Sequence, residues 1–311
     1  MSTSYDIQKI GIVGAGMMGA GIAEVSAAAG FPTVLVKATP GDTESVRGRI
    51  EKSLARRVSK GKLAQSDADA ALARLEVTAD RGALADRDLI IESIVENLAE
   101  KRMLFSQLEG EVRDEAVFAS NTSTLRIRDL AEGHRVDRTI GLHFFSPVPA
   151  MSLVELAHLP ETDPTVIEGA TAFVEGLGKT AVPVSDSTGF IVNRLLVPYL
   201  LGAMRAYAQG LAEAPSIDTA MKLGCGHPMG PLALSDLIGL DVVFAMAKLL
   251  YKDFGDASYQ PPPLLRRLVQ EGSLGKKSGL GFYDYSTTPP GPNQALRELI
   301  QHGRADGEHA A

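Results

Sequence analysis

Short apolar runs alternate with longer stretches of helical periodicity through the first 185 residues, and then the runs stop. Residues 9 to 14, 33 to 37, 75 to 79, 88 to 92 and 116 to 120 are dominated by Ile, Val, Leu and Ala, as strands buried on both faces are. Helical patterns fall between them, at roughly 17 to 30, 42 to 59, 66 to 74 and 98 to 112. Strands alternating with helices predict an α/β fold with a mostly parallel sheet covered on both faces.

Residues 139 to 157 depart from that alternation. The segment from Ile140 to Glu155 reads as two short strands joined by a proline turn, so an antiparallel edge is predicted for the sheet. If the hairpin is centred near Pro149, His143 and Glu155 stand equally far from the centre and face each other across it. A carboxylate beside an imidazole fixes which ring nitrogen carries the proton and stabilises the imidazolium, which makes this a candidate proton-transfer pair. The competing reading is a buried histidine satisfied by a backbone carbonyl beside a surface Glu155.

A last strand is expected at 180 to 184, followed by a polar link, Ser185 to Gly189. Beyond it come long helical patterns at 190 to 211, 217 to 223, 232 to 254 and 263 to 271. The division predicted is a first domain over residues 1 to 185 and an all-helical domain over 186 to 311. The tail from about residue 287 is rich in Pro, Gly and charge and is expected to lack fixed structure.

The first strand runs into Gly14-Ala15-Gly16-Met17-Met18-Gly19 and then an Ala-rich helix. In a strand, glycine turn, helix unit, Gly14 permits the tight turn and Gly16 lets a pyrophosphate approach the backbone. Gly19 lets the helix pack closely, and Met17 and Met18 open it. A dinucleotide site of the Rossmann type is therefore expected, with these residues against the cofactor. One position breaks the pattern. Where an NAD site ends its second strand in Asp or Glu, for the ribose hydroxyls, this chain has Lys37. A cation there suits a ribose 2'-phosphate, so NADP joins NAD as a candidate cofactor. The alternative is a solvated Lys37, with Asp42, Glu44 or no side chain at all taking the ribose.

Charge and composition narrow the function. Thirty-one basic against 38 acidic residues give a net charge of -7, which argues against a general nucleic-acid binder. The single cysteine, Cys225, excludes an internal disulfide and is expected to pack in the turn Gly224-Cys225-Gly226. No apolar run approaches the ~20 residues that span a membrane, and no secretory leader pattern opens the chain. A soluble, cytoplasmic protein is expected. HExxH, paired CxxC and nucleophile-elbow patterns are absent, so no metal site or acyl-enzyme route is expected.

Taken together, the glycine turn, Ser120-Asn121-Thr122-Ser123, the His143 hairpin, Gly189-Phe190-Ile191-Val192-Asn193-Arg194, His227-Pro228-Met229-Gly230-Pro231 and the stretch Gly275 to Tyr283 resemble the 3-hydroxyacyl-CoA dehydrogenase family. The likeness is strongest to its stand-alone bacterial 3-hydroxybutyryl-CoA members, and it covers about residues 8 to 285. The resemblance implies that His143 removes the proton of a (3S)-3-hydroxyl while a hydride leaves C3 for the nicotinamide, with Glu155 orienting His143. It implies that Ser123 and Asn193 bond the reacting oxygen and the thioester region, and that Glu96, Lys101, Asn121 and Ser146 lie near the nicotinamide and its ribose. Ser53, Lys60 and Lys62 fall where family members contact CoA, and dimers through the helical domain are implied.

Each of these assignments has a plain competitor. Ser123 would cap a helix starting near Leu125, Asn193 would make a structural hydrogen bond, and Lys60 and Lys62 would form a solvated turn. Glu92, at a strand end, reads as structural. Ser146 departs from the family's Asn, which cautions against carrying over the substrate of the fatty-acid enzymes. Rival readings are a dehydrogenase of a hydroxyacyl group on an acyl carrier protein, a relative of the gulonate dehydrogenase branch resembling lambda-crystallin, and a non-catalytic nucleotide-binding protein.

Overall fold

A buried strand of four residues, β1 (Ile10–Val13), lies inside the sheet that organises the first part of the chain. The computed structural model describes residues 5–39 and 41–305, and the chain divides into two compact units after Phe190. Among the described residues of the first unit, β1 is joined by β2 (Thr33–Val36), β3 (Leu75–Thr78), β4 (Leu89–Glu92), β5 (Val117–Ser120), β6 (Thr139–Phe144), β7 (Leu153–His158) and β8 (Thr180–Ser185). They form one sheet in the order β3-β2-β1-β4-β5-β6-β7-β8. Pairing is parallel except between β6 and β7, and β8 runs parallel to β7. The α/β reading and its antiparallel edge both hold.

Successive strand residues feed opposite faces, and both faces are covered. Ile10, Ile12, Leu35 and Ile91 pack with α1 (Met17–Ala28), α2 (Glu44–Ser59), α3 (Gln65–Arg74) and α6 (Pro164–Gly176) on one side. Val13, Val36, Ile90 and Phe118 pack with α4 (Leu98–Leu108) and α5 (Ile127–Ala131) on the other. The strand order reverses at β1, whose neighbours β2 and β4 carry the chain in opposite directions. That reversal opens a crevice at the carboxyl ends of the central strands, where α/β sheets bind ligands.

Two local arrangements position the crevice. A Cβ added to Gly21, on α1, would lie 2.9 Å from the Val148 Cβ, so only hydrogen there lets the β6–β7 turn rest on α1. The start of α5 is capped by Asp186, whose carboxylate accepts the N–H groups of Ile127 at 2.7 Å and Arg128 at 2.9 Å. A cap for α5 thus comes from the polar link.

The second unit is helical: α7 (Val192–Ala208), α8 (Ala214–Cys225), α9 (Pro231–Ile238), α10 (Leu240–Phe254) and α11 (Pro263–Gln270). The pattern at 232 to 254 reads as one helix but is two, broken at Gly239, whose φ of 103° no helix accommodates. Asp218 accepts the N–H groups of Leu232 and Ala233 at the start of α9 and the Tyr283 hydroxyl. Cys225 is exposed rather than packed.

The tail also corrects expectation. Tyr283–Asp284 (β9) and Gly291–Pro292 (β10) pair, and α12 (Gln294–Ala305) follows. Asn293 donates to the Gly281 carbonyl at 2.8 Å and buried Leu296 joins the helical core. These contacts tie the start of α12 to the helical unit despite the composition of the tail; residues 306–311 lie outside those described. No helix among the described residues is long and apolar enough to cross a membrane.

Candidate active site

The hairpin pairs His143 directly with Glu155, the register expected from a turn centred near Pro149. His143 Nδ1 lies 2.7 Å from Glu155 Oε2. The histidine side chain is 7 % exposed and the carboxylate fully buried, so the competing reading of a surface Glu155 fails. A buried carboxylate at Nδ1 sets the tautomer and leaves Nε2 to meet a substrate. Two aromatic rings hold the imidazole, Phe145 with its centroid at 4.3 Å and Phe190 at 5.9 Å. Phe190 adopts φ 46° and is buried; a non-glycine residue held there costs on the order of 1 kcal/mol, and it places the ring beside His143.

The glycine turn passes a fit test for a dinucleotide. Gly14 has φ 111°, and its N–H donates to the Val36 carbonyl at 2.9 Å, closing the turn against β2. A Cβ on Gly19 would stand 1.8 Å from the Gly14 carbonyl oxygen, so the helix start admits no side chain there. At Gly16 the same construction meets nothing within 4 Å. The open face lies over the α1 N-terminus, which has no side-chain cap and no acidic residue in its first turn. Unpaired N–H groups beside open space are what a pyrophosphate requires. Met17, 73 % exposed, stands at this entrance, and Met18 is partly buried behind it.

Glu92, at the end of β4, is the hub of a buried network. Lys101 Nζ donates to both of its oxygens at 2.7 and 2.8 Å, and the Ser120 hydroxyl donates to it as well. Burial pushes the Glu92 carboxyl above its ordinary range, although Lys101 and Ser120 pull the other way. Lys101 is 1 % exposed and also lies 3.4 Å from Glu96, so it stands behind the two carboxylates.

Glu96 accepts the hydroxyls of Thr122 at 2.6 Å and Thr124 at 2.9 Å and the Ser123 N–H at 3.1 Å. Burial would raise its carboxyl, but Lys101 and these donors together hold it low. Its side chain stays 38 % exposed, an ionised acceptor at the rim of the crevice. Asn121 ties the strands together, donating to Ser93 Oγ at 3.2 Å and accepting the Phe144 N–H at 2.9 Å. That tether anchors the residue after His143. It is invisible in sequence, because Asn121 and Phe144 sit 23 positions apart.

The remaining predicted residues are placed as follows. Lys37 follows β2, with Nζ donating to the carbonyl and hydroxyl of Thr39 at 2.8 and 3.1 Å. Both oxygens of Asp42 accept N–H groups at the start of α2. Ser146 is exposed just beyond β6, while Ser53 on α2 is half-buried and Lys60 and Lys62 are exposed past its C-terminal end. Asn193 is buried in the first turn of α7, in the second unit.

Comparison with known proteins gives these features a family. Residues 9–187 match the model of the 3-hydroxyacyl-CoA dehydrogenase NAD binding domain and residues 189–285 that of the C-terminal domain. The chain is 47 % identical over 282 residues to a 3-hydroxybutyryl-CoA dehydrogenase of Mycobacterium tuberculosis, covering 90 % of this chain and 99 % of that one. It is 43 % identical to the mitochondrial hydroxyacyl-coenzyme A dehydrogenase of Homo sapiens, covering 90 % and 91 %. The crystal structure of (S)-3-hydroxybutyryl-CoA dehydrogenase from Ralstonia eutropha superposes with a TM-score of 0.87 at 41 % identity, covering 91 % of this chain and all of that one. With a dinucleotide turn and two matching domain models in sequence order, the chain belongs to the 3-hydroxyacyl-CoA dehydrogenase family of NAD-dependent oxidoreductases.

Proposed function

We propose that the protein interconverts (3S)-3-hydroxyacyl-CoA and 3-ketoacyl-CoA thioesters of short chain, with 3-hydroxybutyryl-CoA and acetoacetyl-CoA as the preferred pair. The observation that carries the reading is the His143–Glu155 pair at 2.7 Å, buried in the same unit as the glycine turn. The names of the mycobacterial and Ralstonia relatives support the short chain.

When bound, NAD supplies the acceptor for the hydride from C3. In the oxidation direction His143 Nε2 takes the proton of the 3-hydroxyl as the C3–H bond breaks and the carbonyl forms; in reduction it returns that proton. Glu155 keeps the ring in one tautomer and balances the charge it acquires. Ser123 donates a hydrogen bond to the reacting oxygen, and Glu96 fixes the Ser123 backbone. The family resemblance implies that Asn193 holds the thioester region. Lys60 and Lys62, with Ser53, offer a basic surface to the phosphates of CoA.

Steady-state assays with acetoacetyl-CoA and longer 3-ketoacyl-CoA substrates should give the highest kcat/KM for acetoacetyl-CoA. Absence of turnover with every such thioester would sink the reading. If the N-acetylcysteamine analogue were turned over as efficiently as the CoA ester, Lys60 and Lys62 would have no part in binding, and a carrier-bound substrate would become the better reading.

A homodimer through the helical unit belongs to the same proposal. Leu195, Leu223 and Leu237 are 68 %, 81 % and 51 % exposed there, apolar surface that an oligomer would cover. Sedimentation at micromolar concentration should give twice the 33.0 kDa chain mass; a single-chain mass would refute it.

A further inference from the structure

We infer that the nucleotide site carries a 2'-phosphate-binding corner at the end of β2, formed by Lys37, Thr39 and Arg49, and that the chain binds NADPH at least as tightly as NADH. The inference rests on the dinucleotide site described above and assigns the cofactor that this site selects.

The glycine turn and the end of β2 are neighbours, since the Gly14 N–H donates to the Val36 carbonyl at 2.9 Å. The next residue is Lys37. In a Rossmann half-site this position meets the adenosine ribose: a carboxylate there takes the two ribose hydroxyls, and a cation accommodates a 2'-phosphate. The Lys37 ammonium does not trail along the strand. Its bonds to the carbonyl and hydroxyl of Thr39 hold it in the loop that leads to α2.

A second cation reaches the same turn from α2. Arg49 donates to the Ala15 carbonyl at 2.8 Å, inside the glycine turn itself. One positive side chain thus reaches the turn from α2, and a second, Lys37, is held with the Thr39 hydroxyl in the loop that follows β2. A phosphate dianion offers such a set short, charge-assisted bonds that a ribose hydroxyl does not.

Two nearby carboxylates already serve local backbone groups. Asp42 accepts the N–H groups of Glu44 and Ser45 at the start of α2. Asp80, just past β3, accepts the N–H of Gly82 at 2.8 Å. Glu44 is exposed in the first turn of α2, where the helix dipole favours a negative charge. At the position after β2 where an acidic residue would favour NAD over NADP stands a cation bonded to Thr39 in the loop.

The rival account gives Lys37 only the work of ordering the loop, and binding measurements separate the two. Dissociation constants of NADH and NADPH are measured by the fluorescence of the reduced nicotinamide, without acyl substrate, for the wild type, Lys37→Asp, Lys37→Met and Arg49→Ala. The wild type is expected to hold NADPH as tightly as NADH or more so. Lys37→Asp should weaken NADPH by about tenfold or more, the scale of one lost charged contact, while NADH is unchanged or tighter. Arg49→Ala should weaken NADPH more than NADH. If Lys37→Asp fails to fold, Lys37→Met, which keeps the stem and removes the charge, carries the same comparison. NADPH binding about tenfold weaker than NADH in the wild type, or equal losses for both dinucleotides in the Lys37 variants, overturns the inference. Because no thioester is present, failure here leaves the proposed reaction standing, and failure of that reaction leaves this result standing.

Discussion

Replacing His143 with Ala is expected to lower kcat by about 10³-fold, within the span that a positioned general base contributes, while NADH binding stays unchanged. The reason is local. The imidazole is buried, its Nδ1 committed to Glu155 and its faces set by Phe145 and Phe190, so water entering the space beside Glu155 would lack both the fixed orientation and the basicity of the ring. Glu155→Gln separates positioning from chemistry. A glutamine amide still fills the site but no longer balances the charge on the ring, so kcat should fall by about 10²-fold with KM for the acyl substrate nearly unchanged. Retention of roughly a tenth of wild-type kcat by His143→Ala would remove His143 from proton transfer. Equal changes in kcat and KM in Glu155→Gln would make Glu155 a structural residue only.

The second large effect concerns stability. Lys101→Met should destabilise the protein by about 3–5 kcal/mol at pH 8, the usual result of removing one partner from a buried ion pair. Glu92 is fully buried and Lys101 1 % exposed, so a lone Glu92 carboxylate would face neither water nor a cation. The sign with pH follows from burial, which already pushes the Glu92 carboxyl up. A folded-state value above the unfolded one favours the folded state below the unfolded value, and the benefit is lost as pH rises through the folded value. The defect should therefore be smaller at pH 5 than at pH 8. Adding Glu92→Gln should restore much of the loss, because the orphaned charge disappears with its partner. Urea unfolding measures all three, and a Lys101→Met protein within about 1 kcal/mol of wild type at pH 8 would contradict the account.

The hairpin was legible in sequence because strand side chains repeat every two residues, so one assumed turn centre fixed the facing of His143 and Glu155. The glycine turn was legible because Gly14 and Gly19 close on one another across the turn, where a side chain on Gly19 would strike the Gly14 carbonyl oxygen, and Gly16 leaves open space between them. Lys101 shows the limit. A lysine on a helix ordinarily reads as solvated, and what buries it is Glu92, on a strand whose end position depends on the whole sheet. Asp186 lay in what reads as a polar link, and its role as the cap of α5 depends on a contact 59 positions away. Gly239 was hidden because helical periodicity continues on both sides of it, and the φ that breaks the helix leaves no mark in the pattern. The tail misled through composition: Pro and Gly counts say nothing of the buried Leu296 that fixes α12.

The seat that Gly21 gives to Val148 makes α1 a common ruler for two events. One end of this helix presents the glycine turn shaped for a dinucleotide, and its second turn carries the loop of the strand that bears His143. The offset between nucleotide and base is thus written in a single rigid rod instead of being negotiated between separate elements. An error of placement at either end of α1 is inherited by the other.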